Sequence, residues 1–186
     1  RERLDDADPN VRTEAVRALA NDLESRALLR EHIADIAPAV RAAAVLALAT
    51  DPLARGLLRE KLVDDDNDVR AAAVYALGSD PEARTLLREA LEDAAPTVRV
   101  AAVRMLAGDP GSRALLRERL IDRAGTVRAA AVYAVMSDPE SWVLLRERLE
   151  DDDDLGPSGR RTGEVIRAAA VTALAKDPGA RLGIVR

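Results

Sequence analysis

Apolar residues along this chain follow two helical patterns that alternate. In the first, leucines share one helical face while Arg88 and Glu89 point away from it. These leucines are Leu86, Leu87 and Leu91. In the second, smaller apolar side chains form the stripe Val69, Ala73, Val74, Ala76 and Leu77. The two patterns predict two amphipathic helices, a leucine-rich helix A and an alanine-rich helix B.

The two patterns recur with a fixed period. The start of helix B is marked by Val11-Arg12, Val40-Arg41, Val69-Arg70, Val98-Arg99 and Val127-Arg128, each 29 residues after the one before. The sixth copy, Ile166-Arg167, follows after 39 residues, so 10 residues are inserted into the last full unit. A period of this length is typical of stacked supersecondary units.

Aspartates mark the ends of both helices. Asp80-Pro81 supplies an N-cap and a first helical residue for helix A. The same pair recurs at Asp51, Asp109, Asp138 and Asp177. A second column, in the turn after helix A, is Asp35, Asp64, Asp93, Asp122 and Asp151. Each unit is therefore predicted to run helix A, turn, helix B, turn.

These features resemble the short bacterial HEAT repeats, of the PBS-lyase type. The stretch from Asp64 to Leu77 matches the signature D-x-x-x-x-V-R-x-x-A-V-x-A-L, and the resemblance covers essentially all 186 residues. It implies an all-α fold, an α-solenoid of stacked helix-turn-helix repeats in a right-handed superhelix. It also implies a single domain, 1–186, of about six repeats. Both ends align with the interior of a unit, so we expect truncated outer repeats in a segment of a larger bacterial protein.

Composition narrows the function classes. The net charge is −5, which argues against a nucleic-acid partner because phosphate binding requires concentrated Lys and Arg. The chain has no cysteine, and no apolar run approaches the ~20 residues of a membrane span. We therefore expect a cytoplasmic protein without membrane contact.

The sequence offers no pair of nucleophile and base for catalysis. Its one histidine, His32, is in a helix A column that we expect to be exposed and tolerant of change. That column continues with Lys61, Ala90, Arg119 and Arg148. The acidic runs 64–66 and 151–154 lack the spaced oxygens and mid-loop glycine of an EF-hand. We expect a protein that is not an enzyme, with no cofactor and no metal.

The arginines of the Val-Arg column could bind anions or could stabilise the packing of one repeat on the next. They are Arg12, Arg41, Arg70, Arg99, Arg128 and Arg167. In HEAT-like repeats this arginine pairs with an aspartate at the turn and ties one unit to the next. The resemblance therefore implies a structural ladder with partners among Asp6, Asp35, Asp64, Asp93 and Asp122. Arg30, Glu31 and their equivalents are expected to form a solvated face of helix A, with weak surface pairs.

One helix B column varies while the frame stays constant. It reads Arg17, Leu46, Tyr75, Arg104, Tyr133 and Thr172. By helical spacing it faces away from helix A, toward the expected concave side, above small residues at positions 13, 42, 71, 100, 129 and 168. Tyr and Arg are frequent binding hot spots, so we predict partner binding by Arg17, Leu46, Tyr75, Arg104 and Tyr133. The alternative is that the tyrosines only cover neighbouring alanines.

The inserted residues, about 153–163, read DDLGPSGRRTG and predict an exposed loop between helices A and B. Arg160 and Arg161 either contact an acidic partner or form a solvated tip. Trp142 replaces an arginine found at Arg26, Arg55, Arg84, Arg113 and Arg181. We expect this tryptophan to pack locally, under the loop.

These observations favour a non-catalytic scaffold that binds a protein or peptide on its concave helix B face. Two alternatives stay open. The repeats, which contain LLRERL and are rich in Arg and Asp, also resemble the sensor arrays of NACHT-like signal-transduction NTPases. A HEAT-like nucleic-acid-binding module is the other, although only Arg17 and Arg104 of the variable column are basic. Open helical ends also suggest end-to-end self-association.

Overall fold

The computed structural model describes residues 3–148 and 162–175, and all regular structure in these ranges is helical. The α-helices are α1 (Pro9–Leu19), α2 (Arg26–Glu31), α3 (Pro38–Ala47), α4 (Arg55–Glu60), α5 (Asn67–Ala76), α6 (Arg84–Glu89), α7 (Pro96–Leu106), α8 (Arg113–Glu118), α9 (Gly125–Val135), α10 (Trp142–Glu147) and α11 (Thr162–Leu174). The even-numbered helices are the A helices of the repeats, and the odd-numbered helices are the B helices.

The helices stack in pairs within two compact units, Arg1–Met105 and Leu106–Arg186. In the first unit, α1 packs on α3 and α3 on α5, while α2 and α4 lie against α3 and α5. In the second unit, α9 packs on α11, with α8 and α10 against them. The predicted all-α stack of helix pairs is confirmed. That residues 1–186 form a single domain stays a prediction.

Helix A is shorter than the apolar pattern predicted. The stretch expected as one helix comprises a 3-10 turn (Pro81–Ala83), α6, and a second 3-10 turn (Ala90–Glu92). The physical reason lies in the cap. Asp80 accepts the Glu82 N–H with its side chain at 3.0 Å and the Ala83 N–H with its carbonyl at 3.1 Å. These bonds fix a tight first turn before α6 begins.

The turn between helices A and B is built by the aspartate column. Asp64 adopts an extended backbone and ends the 3-10 turn Lys61–Val63, and its Oδ1 accepts the Asp66 N–H at 3.1 Å. Asp66 then caps α5 by accepting the N–H groups of Asp68 and Val69. Asp8 caps α1 with its side chain as well, whereas α3 and α9 begin after Ala37 and Ala124, which provide no side-chain cap.

The core runs between helix A and helix B of each repeat. The second leucine of each Leu-Leu pair is buried. In the repeat of α4 and α5 this leucine is Leu58, and Val69 and Leu77 on α5 are buried with it. The repeated alanines Ala44, Ala73, Ala102, Ala131 and Ala170 have no exposed surface. Small side chains there let the helices approach closely.

Candidate interaction surface

The variable column lies on the open face of the B helices. In the first unit, Leu46 on α3 is 52% exposed and Tyr75 on α5 is 37% exposed. Arg17 on α1 and Arg104 on α7 are also exposed. In the second unit, Tyr133 on α9 and Thr172 on α11 are exposed. The frame thus presents one changeable side chain on each of these helices.

The floor of this face differs from the expectation. Ala42 and Val100 are half-buried, but Thr13 and Ala71 are buried, and the Thr13 hydroxyl donates to the Pro9 carbonyl at 2.8 Å. A groove of about 410 Å³ opens nearby in the first unit. Its lining includes alanines that the sequence analysis did not single out: Ala20, Ala39, Ala43 and Ala47. Leu46 stands in this groove, between Arg17 on α1 and Asp68 on α5.

Two hydrogen bonds orient the polar side chains of this face. Arg104 Nη1 donates to the Tyr75 hydroxyl at 3.2 Å, across adjacent B helices. Arg17 Nη1 donates to Glu14 Oε1 at 2.6 Å on the same helix. The positive charge of Arg17 is thereby paired with the carboxylate of Glu14.

The Val-Arg arginines lie at the seams between repeats. Arg12 donates from Nε and Nη2 to the two carboxylate oxygens of Asp35, at 2.9 and 2.8 Å. Its Nη1 donates to the Asp6 carbonyl at 2.8 Å. Such a bidentate pair fixes two adjacent repeats in register. The same pairing joins Arg41 to Asp64 and Arg70 to Asp93.

Burial separates these arginines from solvent. Arg99 and Arg128 are buried, and each donates to the carbonyl of the aspartate in its own turn, Asp93 or Asp122, at 2.7 Å. Arg167 is half-buried. The guanidinium of Arg12 lowers the pKa of Asp35 by hydrogen bonding to its charged form, against the opposing effect of burial. The side chains of Arg12, Arg41 and Arg70, which are 14–16% exposed, offer little surface to an anion.

A second series of ion pairs corrects the prediction of a solvated face on helix A. Arg30 Nε donates to Asp51 Oδ2 at 2.8 Å, and Asp51 is only 3% exposed. Arg59 and Arg117 pair in the same way with Asp80 and Asp138. The aspartate that caps one helix A therefore holds the arginine of the preceding helix A. The constant spacing of 21 residues between these partners was a usable signal in the sequence.

His32 is half-buried, which corrects the expectation of an exposed column. Its Nδ1 lies 2.9 Å from the Leu28 carbonyl and its Nε2 lies 3.1 Å from the Leu4 carbonyl. A neutral imidazole donates from only one nitrogen, so it satisfies one carbonyl at a time. The ring lies between α2 and the turn that precedes α1, and it faces no catalytic partner within the described residues.

Trp142 is half-buried at the start of α10, and its indole Nε1 is buried without a partner among the described residues. The loop expected at about 153–163, with Arg160 and Arg161, lies outside the described residues except for its last positions, 162 and 163. Packing of the tryptophan under that loop stays a prediction.

The structure was searched for metal sites and for membrane-spanning helices. Over residues 3–148 and 162–175, no group of His, Asp and Glu side chains is arranged to hold a metal ion. Every helix in the same ranges falls short of the length and hydropathy that a membrane span requires.

Comparison with known proteins agrees with this architecture. The family model described as HEAT repeats matches residues 1–77 and 51–136. No curated protein matches the chain. Among solved structures, the chain is similar to a crystal structure of an engineered protein from the Northeast Structural Genomics Consortium. The two share 18% identity and a TM-score of 0.53, over 92% of this chain and 95% of that one. At this identity the likeness concerns the fold alone.

Proposed function

Because this chain belongs to the HEAT-repeat family, we propose that it is a non-catalytic scaffold that binds a partner protein or peptide on the open face of its B helices. Proteins built from HEAT repeats generally serve as interaction scaffolds. One observation carries the choice of face. Leu46, Tyr75 and Arg104 are exposed on α3, α5 and α7, and Leu46 lies in a groove lined mostly by alanines.

The chemistry of the three side chains suits a peptide. Leu46 supplies an aliphatic contact within an alanine-lined groove, and Tyr75 adds a ring whose hydroxyl is held by Arg104. This bond restricts the tyrosine before binding, so less conformational entropy is lost when a partner arrives. Arg104 keeps further N–H donors for a carbonyl or a carboxylate of the partner.

Site-specific photo-crosslinking tests this proposal. A photoreactive residue at position 75 should capture a partner from a lysate of the source organism. The same residue at position 89, exposed on helix A, should capture none. The triple variant Tyr75→Ala/Arg104→Ala/Tyr133→Ala should then release the captured protein in a binding assay with purified components.

Circular dichroism controls for folding, since all three substituted side chains are exposed. Capture at position 89 with none at 75 would move the interaction to helix A. Unchanged affinity of the triple variant would refute the proposed face.

A further inference from the structure

Two highly exposed aliphatic side chains lie at the turns between helices A and B of adjacent repeats. Ile36 is 91% exposed in the turn before α3, and Val63 is 82% exposed at the end of the 3-10 turn after α4. They belong to different columns of the repeat, so their proximity is not apparent in the sequence. Both line one open depression of about 530 Å³ in the first unit.

Charged groups surround this aliphatic pair. The depression is lined by the carboxylates of Asp35, Glu60, Asp64 and Asp65 and by the cations Arg41 and Lys61. These four negative and two positive charges, together with Arg12, which is paired with Asp35, leave a net charge of −1. The site thus combines apolar contact area with a negative field.

The frame neutralises only part of this negative charge. Arg12 and Arg41 hold the carboxylates of Asp35 and Asp64 in bidentate pairs, and Lys61 Nζ donates to Asp64 Oδ2 at 3.3 Å. Glu60 and Asp65, by contrast, are exposed at the rim. Their carboxylates face solvent, where a cationic partner can reach them.

The backbone at Ile36 is held in place. Arg41 Nη1 donates to the Asp35 carbonyl at 3.0 Å and to the Ile36 carbonyl at 3.1 Å. The Ile36 side chain is therefore presented to water by a turn that the inter-repeat seam fixes. Two exposed aliphatic side chains that line one depression, one of them in a turn held by this seam, form the kind of apolar surface that marks an interaction site.

We propose that Ile36, Val63, Glu60 and Asp65 form a second interaction site, the edge patch, which binds a basic peptide segment that carries aliphatic side chains. The aliphatic residues of the partner cover Ile36 and Val63, and its Arg or Lys residues pair with Glu60 and Asp65. Charge complementarity selects this class of partner over an acidic one. The edge patch is separate from the open face of the B helices and does not depend on its function.

Three labelled peptides test the edge patch by fluorescence polarisation. They are RRRLLLRRR, EEELLLEEE and RRRSSSRRR. We expect RRRLLLRRR to bind at least roughly tenfold more tightly than either of the others, because only it offers both aliphatic contact and positive charge. Equal binding of RRRSSSRRR would overturn the proposal, since it would reflect attraction to a net-negative protein alone. Absence of binding by RRRLLLRRR would overturn it as well.

Variants assign the binding to these residues. Ile36→Ser/Val63→Ser should weaken RRRLLLRRR binding roughly tenfold. Ile121→Ser is the matched control, because Ile121 occupies the column of Val63 and is 74% exposed, while the residue 27 positions earlier is Ala94. Glu60→Lys/Asp65→Lys should reverse the preference toward EEELLLEEE.

A third variant separates this proposal from the interaction on the B helices. Leu46→Ser/Tyr75→Ala should leave RRRLLLRRR binding unchanged, and loss of binding in this variant would overturn the edge patch. Unchanged binding by Ile36→Ser/Val63→Ser would overturn it too. Methyl NMR provides an independent check, because the peptide should shift the resonances of Ile36 and Val63 and leave that of Ile121 in place.

Discussion

Gly78, directly after α5, lies against the side chain of Met105 on α7. A Cβ atom at position 78 would overlap Met105 Sδ and lie 3.0 Å from its Cγ. The repeat equivalents of Gly78 include Ala20 and Ala49, and those of Met105 include Ala47 and Ala76. The glycine therefore compensates for a methionine that is larger than the residue the repeat uses at that position.

This relationship predicts energetic coupling between positions 78 and 105. Gly78→Ala alone should lower the free energy of unfolding by about 1 kcal/mol, because the added methyl group overpacks against Met105. In a Met105→Ala background the same change should raise it by about 0.5 kcal/mol, because alanine restricts the unfolded chain. Urea unfolding of the four proteins measures the coupling. Additive effects of the two changes would contradict the packing argument.

The Arg41–Asp64 pair predicts that substitutions of Asp64 and of its neighbour Asp65 change the free energy of unfolding by very different amounts. Asp64→Asn should lower the free energy of unfolding by about 3 kcal/mol, because it leaves Arg41 at the seam without its charged partner. Asp65→Asn, at an exposed position, should change it by less than about 0.5 kcal/mol. Chemical denaturation compares the two.

Replacing both partners of that seam tests the same pair in another way. Arg41→Met/Asp64→Leu should be more stable than Asp64→Asn, because no unpaired charge stays at the seam. If the double variant were the less stable of the two, the ion pair itself would contribute more than its removal from water costs.

Stability should fall in acid because of the aspartate ladder. The Arg12 guanidinium lowers the pKa of Asp35. The pKa values of Asp64 and Asp93 are also lowered, since hydrogen bonds from arginine and backbone N–H groups outweigh the effect of burial. Their unfolded pKa is about 3.9. A lowered native pKa stabilises the fold above that value and loses its contribution as the pH falls from there through the native pKa.

Thermal unfolding between neutral pH and pH 3 measures this loss. The melting temperature should drop most steeply below about pH 4. Asp64→Asn should start from a lower melting temperature and show a shallower drop, because one of the titrating groups is absent. A parallel drop in both proteins would assign the acid sensitivity to other carboxylates.

The second ion-pair series predicts that Arg30 and Glu31 are not equivalent. Arg30→Met should lower the free energy of unfolding by about 1–2 kcal/mol, because the buried carboxylate of Asp51 loses its charged donor. Glu31→Gln, one residue away and exposed, is the matched control and should be close to neutral. Equal effects in a denaturant titration would return both residues to the solvated face first expected.

The sequence alone determined the architecture of this protein, because periodicity is a local property. The 29-residue spacing of Val-Arg, the Asp-Pro caps and the two apolar stripes predicted helix pairs that stack, and the described residues confirm this. Capping and burial depend on residues a few positions apart, so they can be derived without coordinates. The variable column was also apparent, since variation within a constant frame needs only an alignment of the chain with itself.

Only the tertiary structure decided which columns meet. Arg30 reaches Asp51, and Ile36 and Val63 line one depression, across seams where the offset between neighbours depends on how one repeat packs on the next. The same packing buried Thr13 and Ala71, which helical spacing had placed on the open face. A period fixes which residues are equivalent, whereas the distance between non-equivalent residues depends on the rise and rotation from one repeat to the next. These are set by side-chain packing at the seams.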